Sequence, residues 1–302
     1  MTSTTSSTSS RRAKARRSAR RKESTRGANA VGLVGIGRLG SYVLHRLRAR
    51  GIAVRARRGD DAGLARTRVV YLCVPEDRLP EISARLARAW RDGPRPRAVL
   101  HAAGNLGSDA LAPLAKLGIG VGVLHPMRAF SRRAGREHVR AVQNCWTCSG
   151  DAAVLAQARW LVRQLEPRAQ VWALPDDAGA RRLYHAGCVL ANNGGLALHQ
   201  LAAKLLAGAG LAPEAADQGA AALLNSAVFR GSRGRVLDGA VQLRGPLARG
   251  QLQVVREHVA ALGRASRAGH AYRVLSLELL ELAQRGKRLD RRTVAAFERA
   301  LR

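Results

Sequence analysis

The chain has 302 residues, and 46% of them are hydrophobic, which is enough to bury the cores of two domains. Its 52 basic and 21 acidic residues give a formal net charge of +31, a balance that favours polyanionic partners. The basic residues are nevertheless spread along the chain, and aromatic residues make up only 4% of it. That is too few for base-stacking surfaces, so the composition argues against a nucleic-acid partner.

Residues 1–29 differ from the rest of the sequence. They contain nine basic residues and one acidic residue, with almost no apolar side chains. Such a segment cannot bury a core, so we predict a disordered basic tail. It lacks the apolar stretch of a secretory signal.

From residue 30 onwards, strand and helix patterns alternate. Strands are predicted at 31–36, 52–57, 67–74, 97–101, 119–124, 139–148 and 170–174, with helices at 41–50, 78–90, 108–117 and 152–165. This alternation is typical of an α/β fold with a doubly wound parallel sheet of the Rossmann type, which binds ligands beyond the carboxyl ends of its strands. We therefore predict a dinucleotide-binding domain over residues 30–175.

The pattern changes at residue 176, where strand signals end. Helices are predicted at 178–208, 213–228, 248–263, 267–285 and 290–301. We therefore predict a second, all-helical domain over residues 176–302.

The stretch at 31–40, VGLVGIGRLG, is an apolar strand that runs into a Gly-x-Gly-x-x-Gly turn and a helix. Gly35 permits the tight turn, Gly37 lets a pyrophosphate approach the backbone, and Gly40 lets the helix pack closely on its strand. Together with the intervening Ile36, Arg38 and Leu39, these glycines are the predicted cofactor-binding residues. The alternative is a tight turn that binds nothing.

The end of the second strand indicates which dinucleotide is bound. An acidic residue there would favour NAD, but the sequence has Arg57 and Arg58, with Asp60 and Asp61 placed too late for that role. Guanidinium groups match a 2′-phosphate, so we predict NADP over NAD. The alternative is that both arginines are merely solvated.

The loops after later strands supply further candidates. Val74-Pro75 and Ala103-Gly104 follow the third and fourth strands, and we predict that they line the cofactor site. His125 ends the fifth strand, where the nicotinamide should lie, and is a candidate proton-transfer residue. A loop histidine bonded to the backbone is the alternative.

The first long helix of the second half carries the remaining candidates. His185 and Asn192 are seven residues apart and so share one helix face, which predicts a cleft wall with catalytic groups. Asn193 and Arg249 are predicted to bind the substrate. Buried polar residues satisfied by neighbouring helices are the alternative.

Two features bear on metals and membranes. Cys145 and Cys148 form a Cys-x-x-Cys pair, but no second ligand pair stands at zinc spacing, so we predict buried thiols and no metal site. The longest apolar run, at 186–203, is broken by Asn192, Asn193 and other polar residues, which excludes a membrane helix. With no disulfide framework, the sequence favours a cytoplasmic protein.

Several motifs together indicate a family. They are GLVGIGRLG, CVPEDRL, AAGNLGSDAL, LHPMRAFS, YHAGCVLANN and LRGPLARGQ followed by VREHVAAL, and they span about residues 30–285. In these the chain resembles the bacterial proteins that join a Rossmann-like NADP-binding domain to a helical DUF2520 domain. That group is similar to pyrroline-5-carboxylate reductases, ketopantoate reductases and 3-hydroxyacid dehydrogenases.

The resemblance implies an NADP-dependent oxidoreductase that moves hydride to or from a small carbonyl or imine compound. It also implies a site between the two domains and a homodimer built by the helical one. No Lys stands where dehydrogenases of this type carry one, and Ala103 replaces a Ser common in the group. The alternative is therefore a non-catalytic dinucleotide-binding or regulatory protein.

Overall fold

The computed structural model describes residues 29–56, 61–130, 144–229 and 243–302. Most of the predicted basic tail lies outside these residues, and so do Arg57 and Arg58. The chain forms two compact units, Met1–Gly194 and Gly195–Arg302. The predicted limits of 30–175 and 176–302 stay predictions.

The first unit contains a seven-stranded sheet in the order β2-β1-β3-β4-β5-β6-β7. Its strands are β1 (Val31–Val34), β2 (Val54–Arg55), β3 (Val69–Leu72), β4 (Ala98–His101), β5 (Gly120–Pro126), β6 (Cys145–Ser149) and β7 (Gln170–Ala173). The first five strands run parallel, as the Rossmann pattern predicts. β6 runs antiparallel to β5 and parallel to β7, so the last two strands are reversed.

Helices cover both faces of this sheet. They are α1 (Arg38–Ala49), α2 (Asp61–Ala65), α3 (Leu79–Ala89), α4 (Ala112–Ala115), α5 (Ala152–Leu165) and α6 (Ala178–Val189). Alternate residues of β3 enter two separate cores: Val69 and Tyr71 pack in one, and Val70 and Leu72 in the other. A strand that is buried on both faces has a continuous apolar sequence. For this reason residues 67–74, TRVVYLCV, could be predicted as a strand.

The order of the strands fixes where ligands can bind. β1 lies between β2 and β3, so the connections that leave β1 and β2 pass on opposite sides of the sheet. At such a switch point a crevice opens beyond the carboxyl ends of the strands. Here the switch point lies between β1 and β3, next to Gly35 and Cys73.

Two predicted helices differ from the structure. The helix predicted at 178–208 is interrupted by a π-helical segment, Leu190–Gly194, because Asn and Gly are weak helix formers. The helix predicted at 108–117 is instead a 3-10 turn, Ser108–Leu111, followed by the single turn of α4. Pro113 has no N–H group to continue the preceding turn, so a new helix begins there.

The second unit is all-helical in its described residues. Its helices are α7 (Gly195–Gly208), α8 (Pro213–Phe229), α9 (Leu252–Leu262), α10 (Arg267–Arg285) and α11 (Arg291–Leu301). α9 to α11 enclose an apolar core around Phe297, whereas α7 packs on α8 and buries no residue completely. None of the described helices combines the length and apolar character needed to cross a membrane.

Candidate functional site

The glycine turn after β1 has a shape that side chains would prevent. Gly35 has a φ of 90°, which L-residues rarely adopt, and a Cβ atom there would overlap the carbonyl oxygen of Cys73. A Cβ atom on Gly40 would overlap the carbonyl oxygen of Gly35. The first and third glycines are therefore required by the close approach of α1 to β1 and β3.

Gly37 is different, because a Cβ atom there would meet nothing within 4 Å. It caps the N-terminus of α1, and the first turn of that helix contains no acidic residue. The first N–H groups of a helix have no partner within it and carry a partial positive charge. An open position at this helix end fits a phosphate group, and Ile36, Gly37 and Arg38 around it are exposed.

The loop after β3 lies beside the glycine turn. Val74 Cγ1 lies 2.9 Å from where a Cβ atom of Gly35 would be, and Pro75 leads into a 3-10 turn, Glu76–Arg78. Leu39 packs on the core beneath the turn. The structure thus places the predicted residues Val74 and Pro75 beside the glycine turn.

A buried histidine shapes the loop after β4. His101 Nδ1 accepts a hydrogen bond from the Ala103 N–H at 3.2 Å, and its Nε2 lies 2.9 Å from the Gly107 carbonyl oxygen. Burial lowers the pKa of His101 to about 4. The neutral ring therefore bridges both ends of the loop that carries Ala103 and Gly104, a role that the sequence analysis did not assign to His101.

His125 lies across from this loop, in a network of side chains. Its Nδ1 is 2.7 Å from the Tyr184 hydroxyl, which also receives a hydrogen bond from Thr147 Oγ1 at 2.9 Å. Thr147 is directly opposite His125 in the β5–β6 pair, so both side chains lie on one face of the sheet. Neither Tyr184 nor Thr147 was among the predicted site residues.

The cap of α6 positions the helix residues of this network. Asp177 accepts a hydrogen bond from the Ala180 N–H at 2.8 Å and so fixes where the helix begins. The residues that face the sheet are then spaced by three and four positions along one helix face. They are Arg181, Tyr184, His185 and Cys188.

The absence of a side chain on Gly104 lets both histidine rings pack close to its backbone. A Cβ atom there would lie 2.9 Å from His125 Cδ2 and 3.1 Å from His185 Cδ2. The rings of His125 and His185 are 6.4 Å apart between centroids. The structure thus brings together three predicted residues: Gly104, His125 and His185.

The electrostatics of this histidine cluster keep His125 neutral. Burial lowers its pKa to about 4, and the nearby His185 and Arg181 add to the effect. Arg181 is fully buried and donates a hydrogen bond to Ser149 Oγ. Burial also lowers the pKa of Arg181.

A second polar cluster fixes the loop after β5. Glu166, only 5% exposed, accepts hydrogen bonds from the Tyr42 hydroxyl and from Trp146 Nε1, and pairs with Arg128 at 3.0 Å. The Arg128 guanidinium lies over the rings of Tyr42 and Phe130, at 4.4 and 4.5 Å from their centroids. This cluster ties the loop to α1, the helix that begins at the glycine turn.

The remaining predicted residues belong to other elements of the chain. Asn192 and Asn193 are exposed in the π-helical segment, where Asn192 Nδ2 donates to Asn193 Oδ1 at 2.8 Å. Asn192 therefore lies outside the regular α-helix that carries His185. Arg249, in the second unit, is exposed and donates to Gln251 Oε1 at 3.0 Å.

The Cys-x-x-Cys pair lies in β6, as predicted, where positions three apart point to opposite faces. Burial raises the pKa of the Cys148 thiol to about 12, so this thiol stays protonated at neutral pH. Within the described ranges, no three His, Cys, Asp or Glu side chains are grouped so that they could hold a metal ion.

Comparison with family models finds one match. Residues 144–279 match the model of DUF2520, a domain of unknown function. The matched segment covers 136 of the 302 residues. The Rossmann-like fold with a helical C-terminal region is also confirmed. A search of curated protein sequences finds no match.

Solved structures show the same fold at low sequence identity. Protein TM1727 from Thermotoga maritima is 20% identical with a TM-score of 0.62, covering 85% of this chain and all of its own. An imine reductase from Pseudomonas sp. is 14% identical with a TM-score of 0.58, covering 91% of this chain and all of its own. An imine reductase variant from Myxococcus stipitatus, in complex with NAD⁺, is 16% identical with a TM-score of 0.54 and covers 91% of this chain and all of its own.

Proposed function

We propose that this DUF2520 protein is an NADP-dependent oxidoreductase that moves hydride to or from a small carbonyl or imine compound. The observation that carries the proposal is the glycine turn. Backbone atoms close off Gly35 and Gly40, whereas Gly37 is open at a helix N-terminus. Similar solved structures include imine reductases, one of them in complex with NAD⁺, which supports a nicotinamide dinucleotide as the ligand.

The residues of the chain have distinct parts in this proposal. The backbone at 35–40 binds the pyrophosphate, and Arg57 and Arg58 bind a 2′-phosphate. The loop at Ala103-Gly104 lines the nicotinamide side with His125 and His185 facing it. When bound, the nicotinamide supplies or accepts the hydride, and the protein supplies orientation and hydrogen bonds.

The exposed face of α7 supports a homodimer through the helical unit as part of the proposal. Leu196 is 64% exposed and Leu205 is 45% exposed on a helix with no buried residue. Exposed apolar surface of this kind marks association sites. The mass of the protein in solution tests this point.

The first experiment is a calorimetric titration of NADPH and NADH into the protein and into the Arg57→Ala/Arg58→Ala variant. We expect NADPH to bind and the variant to weaken NADPH at least about tenfold, the factor that corresponds to about 1.4 kcal/mol of lost ion pairing. NADH binding should change little, because NADH lacks the 2′-phosphate.

Arg88→Ala/Arg91→Ala is the matched control. It removes the same charge from two exposed positions, one in the last turn of α3 and one just after that helix. Equal weakening of NADPH binding by both variants would indicate a general effect of the lost charge and no specific contact of Arg57 and Arg58 with the 2′-phosphate. If neither nucleotide binds to the unaltered protein, the oxidoreductase proposal fails.

The absence of Lys from α6 favours a second candidate, a dinucleotide-binding protein without catalysis. Tight NADPH binding without oxidation of NADPH by any member of a panel of ketones, ketoacids and cyclic imines would favour this candidate.

A further inference from the structure

The Tyr184 hydroxyl occupies a position that decides where the proton of His125 lies. It is 2.7 Å from His125 Nδ1 and 2.9 Å from Thr147 Oγ1. Cys188, one turn further along α6, is also within hydrogen-bonding reach of this hydroxyl. A phenol has one proton to donate, so only one of its neighbours can receive it.

The available acceptors determine the direction of that bond. Thr147 donates its own proton to Tyr184, which leaves His125 Nδ1 and the Cys188 sulfur as acceptors for the phenol. A thiol sulfur is a weak acceptor, whereas the unprotonated nitrogen of a neutral imidazole is a good one. The Tyr184 proton therefore goes to His125 Nδ1, and the ring carries its own proton on Nε2.

His125 stays neutral because its surroundings disfavour a second proton. Burial is the main cause, and it lowers the pKa of His125 to about 4. Three titratable or charged groups of α6 act on the ring: His185, Tyr184 and Arg181. Burial keeps the Tyr184 hydroxyl protonated, and Arg181 keeps its proton because a guanidinium is a very weak acid. At neutral pH the ring thus has one N–H group.

That N–H group lies on the side of the ring that packs against Gly104. His125 Nε2 is 3.0 Å from where a Cβ atom of Gly104 would be. A donor on a neutral ring beside a buried arginine suits a neutral or negatively charged acceptor and disfavours a cation.

We propose that Tyr184 is a positioning residue that holds His125 as an Nε2–H donor toward Gly104, where it binds a carbonyl or alkoxide oxygen. The assignment of this oxygen to a substrate rests on the proposed oxidoreductase function. The proton arrangement itself does not. Of the two substrate classes considered, the site then favours a carbonyl compound over a positively charged iminium ion.

The test is NMR spectroscopy of the full chain with ¹⁵N-labelled histidine rings, with His125 assigned from the His125→Gln variant. Couplings to the ring protons report which nitrogen is protonated. We expect His125 to carry its proton on Nε2 at pH 7. We expect Tyr184→Phe to raise the ratio of Nδ1–H to Nε2–H roughly fivefold, which corresponds to a lost hydrogen bond of about 1 kcal/mol.

Cys188→Ala is the matched control, because it removes the competing acceptor and should leave the His125 tautomer unchanged. If Tyr184→Phe fails to fold, Thr147→Val tests the same hydrogen-bond chain, because it removes the hydroxyl that donates to Tyr184 and keeps nearly the same side-chain volume. It should shift the tautomer in the same direction by a smaller factor. A proton on Nδ1 in the unaltered protein, or no change of tautomer in Tyr184→Phe, would overturn the proposal.

A titration with NADPH separates this proposal from the proposed function. Tyr184→Phe should keep the NADPH affinity of the unaltered protein within about twofold, because the hydroxyl is placed to act on His125. If NADPH does not bind but the tautomer is as expected, the oxidoreductase proposal fails and the role of Tyr184 stands. If NADPH binds but the tautomer is reversed, the role of Tyr184 fails alone.

Discussion

The two parts of the candidate site are built in opposite ways. The glycine turn consists of six consecutive residues, and its shape depends on backbone atoms that leave no room for side chains at Gly35 and Gly40. The histidine cluster is assembled from side chains of β5, β6 and α6 around Gly104, and its properties depend on which atom holds each proton. The turn offers only backbone groups to a ligand, whereas the cluster offers side chains that can donate and accept hydrogen bonds.

The largest effect should come from adding one methyl group to the turn. Gly40→Ala should lower the free energy of unfolding by about 3 kcal/mol or more, because the obstacle is the Gly35 carbonyl and the backbone must shift. Gly37→Ala, the matched control, should cost less than about 1 kcal/mol, as expected for an N-cap glycine. Urea-induced unfolding measures both.

The same pair separates folding from binding. Gly37→Ala should keep its fold but weaken NADPH at least about tenfold, since its methyl group would occupy the open position at the helix end. Equal stability of the two alanine variants would contradict the contrast between closed and open glycines.

An intermediate effect should appear on acidification, and it depends on His101. Its pKa is lowered in the folded protein to about 4 from an ordinary value of 6.5, so the unfolded chain takes up the proton first as the pH falls. The free energy of unfolding should therefore decrease between about pH 6.5 and pH 4 by roughly 3 kcal/mol for this residue.

Urea-induced unfolding at a series of pH values measures this decrease, to which His125 contributes in the same direction. His101→Asn should make the dependence on pH shallower. His270→Asn, at an exposed histidine, is the matched replacement. An unchanged pH dependence in His101→Asn would show that His101 does not carry the effect.

The smallest effect should come from Gly104→Ala, at a glycine that borders the histidine cluster. The atoms in the way are ring atoms of His125 and His185 at 2.9 to 3.1 Å, and these rings can move by a few tenths of an ångström. We expect a loss of stability below about 1 kcal/mol, with ring resonances of both histidines displaced in the NMR spectrum. A loss as large as that of Gly40→Ala would remove the distinction between the two regions.

The sequence was informative where structure is local. The glycine turn, α5 at 152–165 and the order of strands and helices depend on neighbours along the chain, and they were predictable from spacing and apolar patterns. The interruption of the long helix also had a local signal, because Asn192-Asn193-Gly194-Gly195 contains only weak helix formers.

The histidine cluster could not be predicted in full, because it depends on register. Thr147 faces His125 only because β6 is reversed and paired in one particular alignment with β5. A usable signal for Tyr184 existed, since Arg181, Tyr184, His185 and Cys188 follow helical spacing behind the cap residue Asp177. Whether Arg57 and Arg58 bind a 2′-phosphate stays a prediction.

Arg128 illustrates a partnership that the sequence alone does not reveal. It lies in the LHPMRAFS motif, and in the fold it forms an ion pair with Glu166, 38 positions further along the chain, and stacks on Tyr42. No local pattern in the sequence connects these residues.

The bounds of the match to the family model do not coincide with the bounds of the folded units. The DUF2520 match begins at residue 144, immediately before β6, and so divides the sheet between β5 and β6. Excision at that point would expose an unpaired edge on β5 and withdraw β6, β7 and the buried Trp146 from the core that they complete. The segment that matches the family model is therefore not a separate folding unit, because its first two strands complete the sheet of the first unit.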